Sequence, residues 1–238
     1  MSRPPRIVRR APSGSSRFWW TKLRPAELFE IFRAYFGLGN AAKMGPIDTP
    51  EALAQFLETR ASFIAQTSLY GYLRTRMGMR YPELFADDAF VEGVNIAKWQ
   101  IWLDCLSDLS VYAGSRIAQQ FPREMPAVAR MMSDLVDEIL AHTGTPPDAG
   151  KEFLPHCDRV RERIARTDWL QVGDMDAAFT QSPASVVHWA PVMDNLKALD
   201  EEIVLNSVTF HWQEVRRAFS SHLDAGAIVS LLPEPPQS

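Results

Sequence analysis

Four residues have the types and spacing to make a metal or proton-transfer centre. Glu138 and His142 stand four apart, and His211 and Glu214 stand three apart, so each pair projects from one face of a helix. Carboxylate and imidazole contributed by two facing helices is the way a helical bundle builds a metal site. The second pair belongs to a longer polar stripe of Asp200, Ser207, His211, Glu214, Ala218 and His222 within about 80° at 100° per residue. The order is against a ferritin-like centre, because no Glu-x-x-His occurs and His211-x-x-Glu214 runs in reverse. Solvated polar stripes have the same pattern without any ligand.

Other catalytic arrangements are less well supplied. Asp104 and Asp108 lie four apart and could divide acid and base roles, but the tryptophan spacing puts them on the outer, polar face of their helix. Lys98 reads as a snorkelling side chain. Ala113-Gly114-Ser115 lies inside a helical pattern, not on a strand-to-helix elbow. His156 and Cys157 are adjacent, so on a helix they point about 100° apart and form no direct thiolate pair. With Cys105 the only other cysteine and no C-x-x-C, a cysteine-based zinc site is excluded and a reducing compartment is favoured. Gly37-Leu38-Gly39-Asn40-Ala41-Ala42 follows a helical pattern instead of a strand, so it lacks the geometry of a dinucleotide loop. No motif calls for a cofactor.

Charge points elsewhere. The 238 residues hold 25 basic and 29 acidic side chains, for a net charge of −4. Arg3, Arg6, Arg9, Arg10, Arg17, Lys22 and Arg24 fall in residues 1–25 with no acid among them, a charge of +7, which leaves −11 on the remainder. Within this basic arm Arg17, Phe18, Trp19, Trp20, Lys22 and Arg24 interleave cations with aromatic rings. Tryptophan prefers the headgroup boundary and each cation near an anionic leaflet contributes about 1 kcal/mol. The arm therefore suits an anionic membrane surface or a membrane protein complex. Nucleic acid is disfavoured, because the acidic body repels a polyanion beyond the arm's reach. The acid-free, Arg- and Ser-rich start also fits a transit peptide, which would put the protein in an organellar matrix; otherwise the location is cytoplasmic, peripheral at the inner face of a membrane. No stretch reaches the 18 uncharged apolar residues of a membrane span.

The elements that must carry these residues read as helices. A first spans Ala26 to about Phe36. Thr49 caps a second that begins at Pro50 and runs to about Arg76, with no charge from Ala61 to Leu73. A third starts at Asp87 or Asp88 and continues to Pro122, with Trp99, Trp102, Leu103, Leu106, Leu109, Ala113 and Ile117 on a core face. A fourth follows Pro126 and ends at Gly144. A short basic helix covers His156 to Leu170, another starts at Ser182-Pro183, and a last one runs from about Pro191 to Leu223. Polar and aromatic residues such as Gln66, Thr67 and Tyr70 leave room for an apolar pocket between helices.

The fold class is all-α, an irregular bundle of about six or seven helices with a basic disordered N-terminal arm. Residues 1–25 form the arm, 26–145 an N-terminal helical unit, 150–228 a C-terminal helical unit packed on it, and 229–238 a Pro-rich tail. The function this suggests is a non-catalytic interaction protein, an adaptor, assembly factor or accessory subunit held at a membrane surface or membrane complex by its arm. The alternative is a helical-bundle enzyme binding a metal or ligand between Glu138, His142, His211 and Glu214.

Overall fold

A computed structural model of the chain describes residues 45–78, 81–173 and 177–233. The segment 17–24 and the helix expected over 26–36 lie outside the described residues, as do 234–238 of the Pro-rich tail. The described residues form helices α1 (Pro50–Met77), α2 (Tyr81–Leu84), α3 (Asp88–Gln120), α4 (Met125–Thr143), α5 (Phe153–Arg166), α6 (Ser182–Trp189), α7 (Asp194–His222) and α8 (Ala225–Ser230). A single 3₁₀ turn, Pro122–Glu124, joins α3 to α4, and there is no strand among the described residues. This is the all-α irregular bundle that the sequence periodicity implies.

Local chemistry sets most boundaries. The Thr49 hydroxyl accepts from the Ala52 amide at 3.1 Å, and Pro50 fills the first helical position where no amide donor is missed. Asp87 caps α3 in the same way through the Ala89 amide. Gly144 closes α4 at φ +65°, a left-handed conformation that other residues adopt at a penalty. The basic helix begins at Phe153, three residues earlier than its spacing suggests, and ends at Arg166 because Thr167 turns to extended backbone.

At the centre is α3, whose 33 residues span roughly 50 Å. Helices α1, α4, α5 and α6 all pack against it. Every residue from Ala97 to Ser115 is consequently buried. The tryptophan face is core as expected, with Trp99 and Trp102 edge-to-face at 5.9 Å between centroids. The opposite face is not solvated. Asp104 and Asp108, expected on an outer polar face, are inside, because α5 and α6 cover that side of the helix. Lys98 is inside too, and its ammonium meets Asp148 at 3.4 Å in place of open water.

The described residues from Pro46 onward gather into one compact unit. On the far side of it α7 packs against α1 and α6, burying Val204, Val208, Trp212, Val215 and Phe219. Phe179 stacks on Trp212 at 4.6 Å and on Tyr112 at 5.3 Å, which ties α7 to α3 through the loop before α6. The chain ahead of α1 is clasped to the end of α7: the Ile47 amide donates to His222 at 2.8 Å and the Asp224 amide donates to Ile47 at 2.9 Å.

Candidate functional site

The four candidate metal ligands are placed on two helices that both look toward α1. His142 on α4 faces Glu58, whose carboxyl is pushed up by burial and pulled back by that histidine. On α7, Glu214 faces Arg60, and the Ser68 hydroxyl lies 3.3 Å from His211 Nδ1. Glu138 and Glu214 are exposed. Partial burial pushes the His211 imidazole down, with Glu214 opposing it. Among the described residues, no three His, Cys, Asp or Glu side chains come together as a metal site would require. Further along the same interface Asp200 accepts from the Tyr72 hydroxyl at 3.1 Å and meets Arg76 at 3.4 Å. Burial and that carboxylate push the Tyr72 phenol up to about 12.

Two buried polar clusters were not legible as such in the spacing. The first centres on Asp108, which is fully buried. Its carboxylate accepts from Arg163 Nη1, from the Ser182 amide and hydroxyl, and from the Gln181 amide, at 2.6 to 3.3 Å. Gln181, the residue before α6, provides no side-chain cap, so Asp108 of α3 serves as the cap of α6 from across the core. Ser182 Oγ in turn accepts from Trp212 Nε1 at 2.9 Å, which links α7 to the same point. Burial pushes the Asp108 carboxyl up, and Arg163 and the Ser182 donors pull it back. Arg163 also donates to Ser107 and to the Ala178 carbonyl, so its guanidinium joins α3, α5 and the chain before α6.

His156 is the centre of the second cluster. Gln100 Nε2 donates to the Ala149 carbonyl at 3.1 Å, which turns Gln100 Oε1 toward the ring. His156 Nδ1 must therefore donate to that oxygen, at 2.7 Å, while Nε2 meets Asp104 at 2.8 Å. Beside it Asp148 accepts from Trp99 Nε1 at 2.8 Å and from Lys98. These groups spend their hydrogen-bonding capacity on one another, and they tie the 144–153 loop and α5 to α3. Their arrangement is that of a fastener between helices. Cys105 and Cys157 are buried with their thiols pushed up by burial, which leaves little thiolate for chemistry.

Two surface features remain. A cavity of about 600 Å³ is lined by polar and apolar groups alike, with Tyr112, Ser115, Arg116 and Gln119 of α3, Leu170 and Val172 of the loop after α5, and Ser220 of α7. The outer face of α7, opposite its buried face, carries Leu199, Ile203 and Phe210 at 75%, 72% and 70% exposure. Large apolar side chains aligned in this way on a solvent face are a mark of an interaction surface. No protein-family model matches the chain, and no curated protein or solved structure shows significant similarity to it.

Proposed function

We propose that the chain is a non-catalytic helical interaction protein, an adaptor, assembly factor or accessory subunit at a membrane surface or membrane complex. The observation that carries this reading is the outer face of α7, where Leu199, Ile203 and Phe210 stand in solvent on a helix whose other side is fully used by the core. The buried ionisable groups support it. Asp108, Arg163, Asp104, His156, Lys98 and Asp148 hold helices together and leave no open reacting position. Residues 17–24, with their interleaved cations and aromatic rings, supply the contact with an anionic bilayer, and the acidic body faces the protein partner. No helix among the described residues is long and apolar enough to cross a membrane.

The test is flotation of the full chain and of a variant lacking residues 1–25 on vesicles of anionic and neutral phospholipid. The full chain rises with the anionic vesicles and releases them as salt is raised, while the shortened chain stays below with its helical circular dichroism unchanged. Flotation that survives the deletion, or that ignores lipid charge, sinks the membrane part of the reading.

A further inference from the structure

Tyr112, Ser115, Arg116 and Gln119 recur at helical spacing on one face of α3 and form one wall of the cavity of about 600 Å³. The loop after α5 forms another wall, and two contacts fix it there. Gln119 Nε2 donates to the Val172 carbonyl at 2.8 Å. Just ahead in the chain, the buried indole of Trp169 packs on Gly114, where an added Cβ would stand 2.3 Å from the ring. The Tyr112 ring is held in turn against Phe179 and Phe219, at 5.3 and 5.7 Å between centroids. Packed groups therefore build this cavity. Its volume falls in the range of small-molecule sites and far exceeds the room a single water needs.

The charge in it has one sign. Arg116 is exposed and meets no carboxylate among the described residues, and none of those that line the cavity is Asp or Glu. Ser115 is buried, and its hydroxyl has no hydrogen-bond partner. A helical serine or threonine can donate to the carbonyl four residues back, as Ser133 and Thr143 do in α4. A buried hydroxyl that does not is a donor left over for an occupant of the cavity. Ser110 and Ser185 share that state, but of the three only Ser115 lines this cavity. Leu170 and Val172 supply apolar surface beside these polar groups. Residues 26–238 carry a net −11, so a bare anion gains nothing at long range. Holding one takes contact with both the guanidinium and the apolar wall.

We infer that this cavity binds a small organic acid, whose apolar group lies on Leu170 and Val172 and whose anionic group is held by Arg116 and the Ser115 hydroxyl. Arg116 selects the charge, and the apolar wall excludes inorganic anions from tight binding. The site uses neither residues 1–25 nor the outer face of α7, so it goes beyond the interaction reading and stands or falls separately from it.

The probe is 8-anilinonaphthalene-1-sulfonate, an apolar ring system with one anionic group, read by its fluorescence on the full chain. One dye binds per chain. Decanoate displaces it, decanol of the same chain length does so at least fivefold more weakly, and inorganic phosphate does not compete. Arg116→Gln weakens dye and decanoate at least fivefold. It leaves the circular dichroism and the thermal midpoint of the unliganded chain in place, since the side chain is exposed and meets no carboxylate among the described residues. Decanoate raises the thermal midpoint of the natural chain and raises that of Arg116→Gln less at the same concentration. Phe210→Glu, on the outer face of α7, leaves dye binding unchanged. Equal competition by decanoate and decanol overturns the inference, as does the absence of saturable dye binding. Dye binding that Phe210→Glu removes and Arg116→Gln spares overturns it as well, and gives the dye to the outer face of α7.

Discussion

Replacing Asp108 by alanine removes the acceptor that serves α3, α5 and α6 at once. Arg163 Nη1 at 2.6 Å, the Ser182 amide at 2.7 Å and the Ser182 hydroxyl at 2.6 Å all lose their partner, as does the Gln181 amide. Breaking a buried ion pair from one side costs about 3–5 kcal/mol, because the remaining charge is left unpaired. Arg163 keeps Ser107 and the Ala178 carbonyl and its side chain is 18% exposed, which places the electrostatic part toward the lower end. Loss of the α6 cap adds about 1 kcal/mol. The sum is about 4 kcal/mol, or a fall of roughly 8–16 °C in thermal midpoint for a chain of this length. Urea unfolding followed by circular dichroism reads it directly, with the slope unchanged. Asp108→Asn, which keeps an acceptor for Ser182, loses less. Arg163→Met in the Asp108→Ala background recovers part of the loss, because it removes the orphaned charge. A loss under about 1 kcal/mol for Asp108→Ala would refute the cross-core cap and the buried pair together.

Gly114→Ala reverses the usual helix preference: alanine gains about 1 kcal/mol in a free helix, but here its Cβ would stand 2.3 Å from Trp169 Cζ3 and 2.8 Å from Met132 Cγ. A net destabilisation of about 1–3 kcal/mol follows from the overpacking, and equilibrium unfolding checks it. Tyr72 titrates in the folded chain at about 12 against 10.0 in its unperturbed state, so its contribution is complete below pH 10 and is lost as pH rises toward 12. Stability measured across that window falls less steeply in Tyr72→Phe than in the natural chain. The His211 imidazole, held down by burial, titrates below 6.5 in a proton resonance experiment. Glu214→Gln moves its midpoint lower still, because the carboxylate that favours the charged ring is gone. A His211 midpoint above 6.5 contradicts the burial of the ring between α1 and α7.

Much of the frame can be read from local signals. Thr49-Pro50 and Asp87 announce helix starts by the donors they satisfy, and the Ile203–Trp212 stretch folds as helix because its flanks are strong helix formers. The sides of α3 are harder. Periodicity finds its tryptophan face but says nothing of what covers the other side, and Asp104 and Asp108 look solvated until α5 and α6 are placed. A signal was present: from Trp99 to Ser115 those two aspartates are the only charged residues, with none of the Lys, Arg or Glu a solvent face carries. The partners Arg163 and Ser182 lie 55 and 74 residues away, a pairing that spacing along one helix cannot express. On α7 the reverse occurs. Apolar residues on both faces hide the distinction between the core face and the Leu199–Phe210 face until the neighbours of each are known.

The clasp between Ile47 and the end of α7 makes the body's entry and exit points neighbours. The chain therefore enters α1 beside the end of α7, and only the short α8 follows that point before residue 233. A protein wired in this way tolerates a change of connectivity. A permuted protein that runs from Thr145 to Pro233, crosses a new linker to Gly45 and ends at the exposed Gly144 is expected to fold to the same bundle, which thermal unfolding followed by circular dichroism checks. Labels placed at Gly45 and Asp224 would likewise stand side by side, close enough for an energy-transfer pair to report on one another.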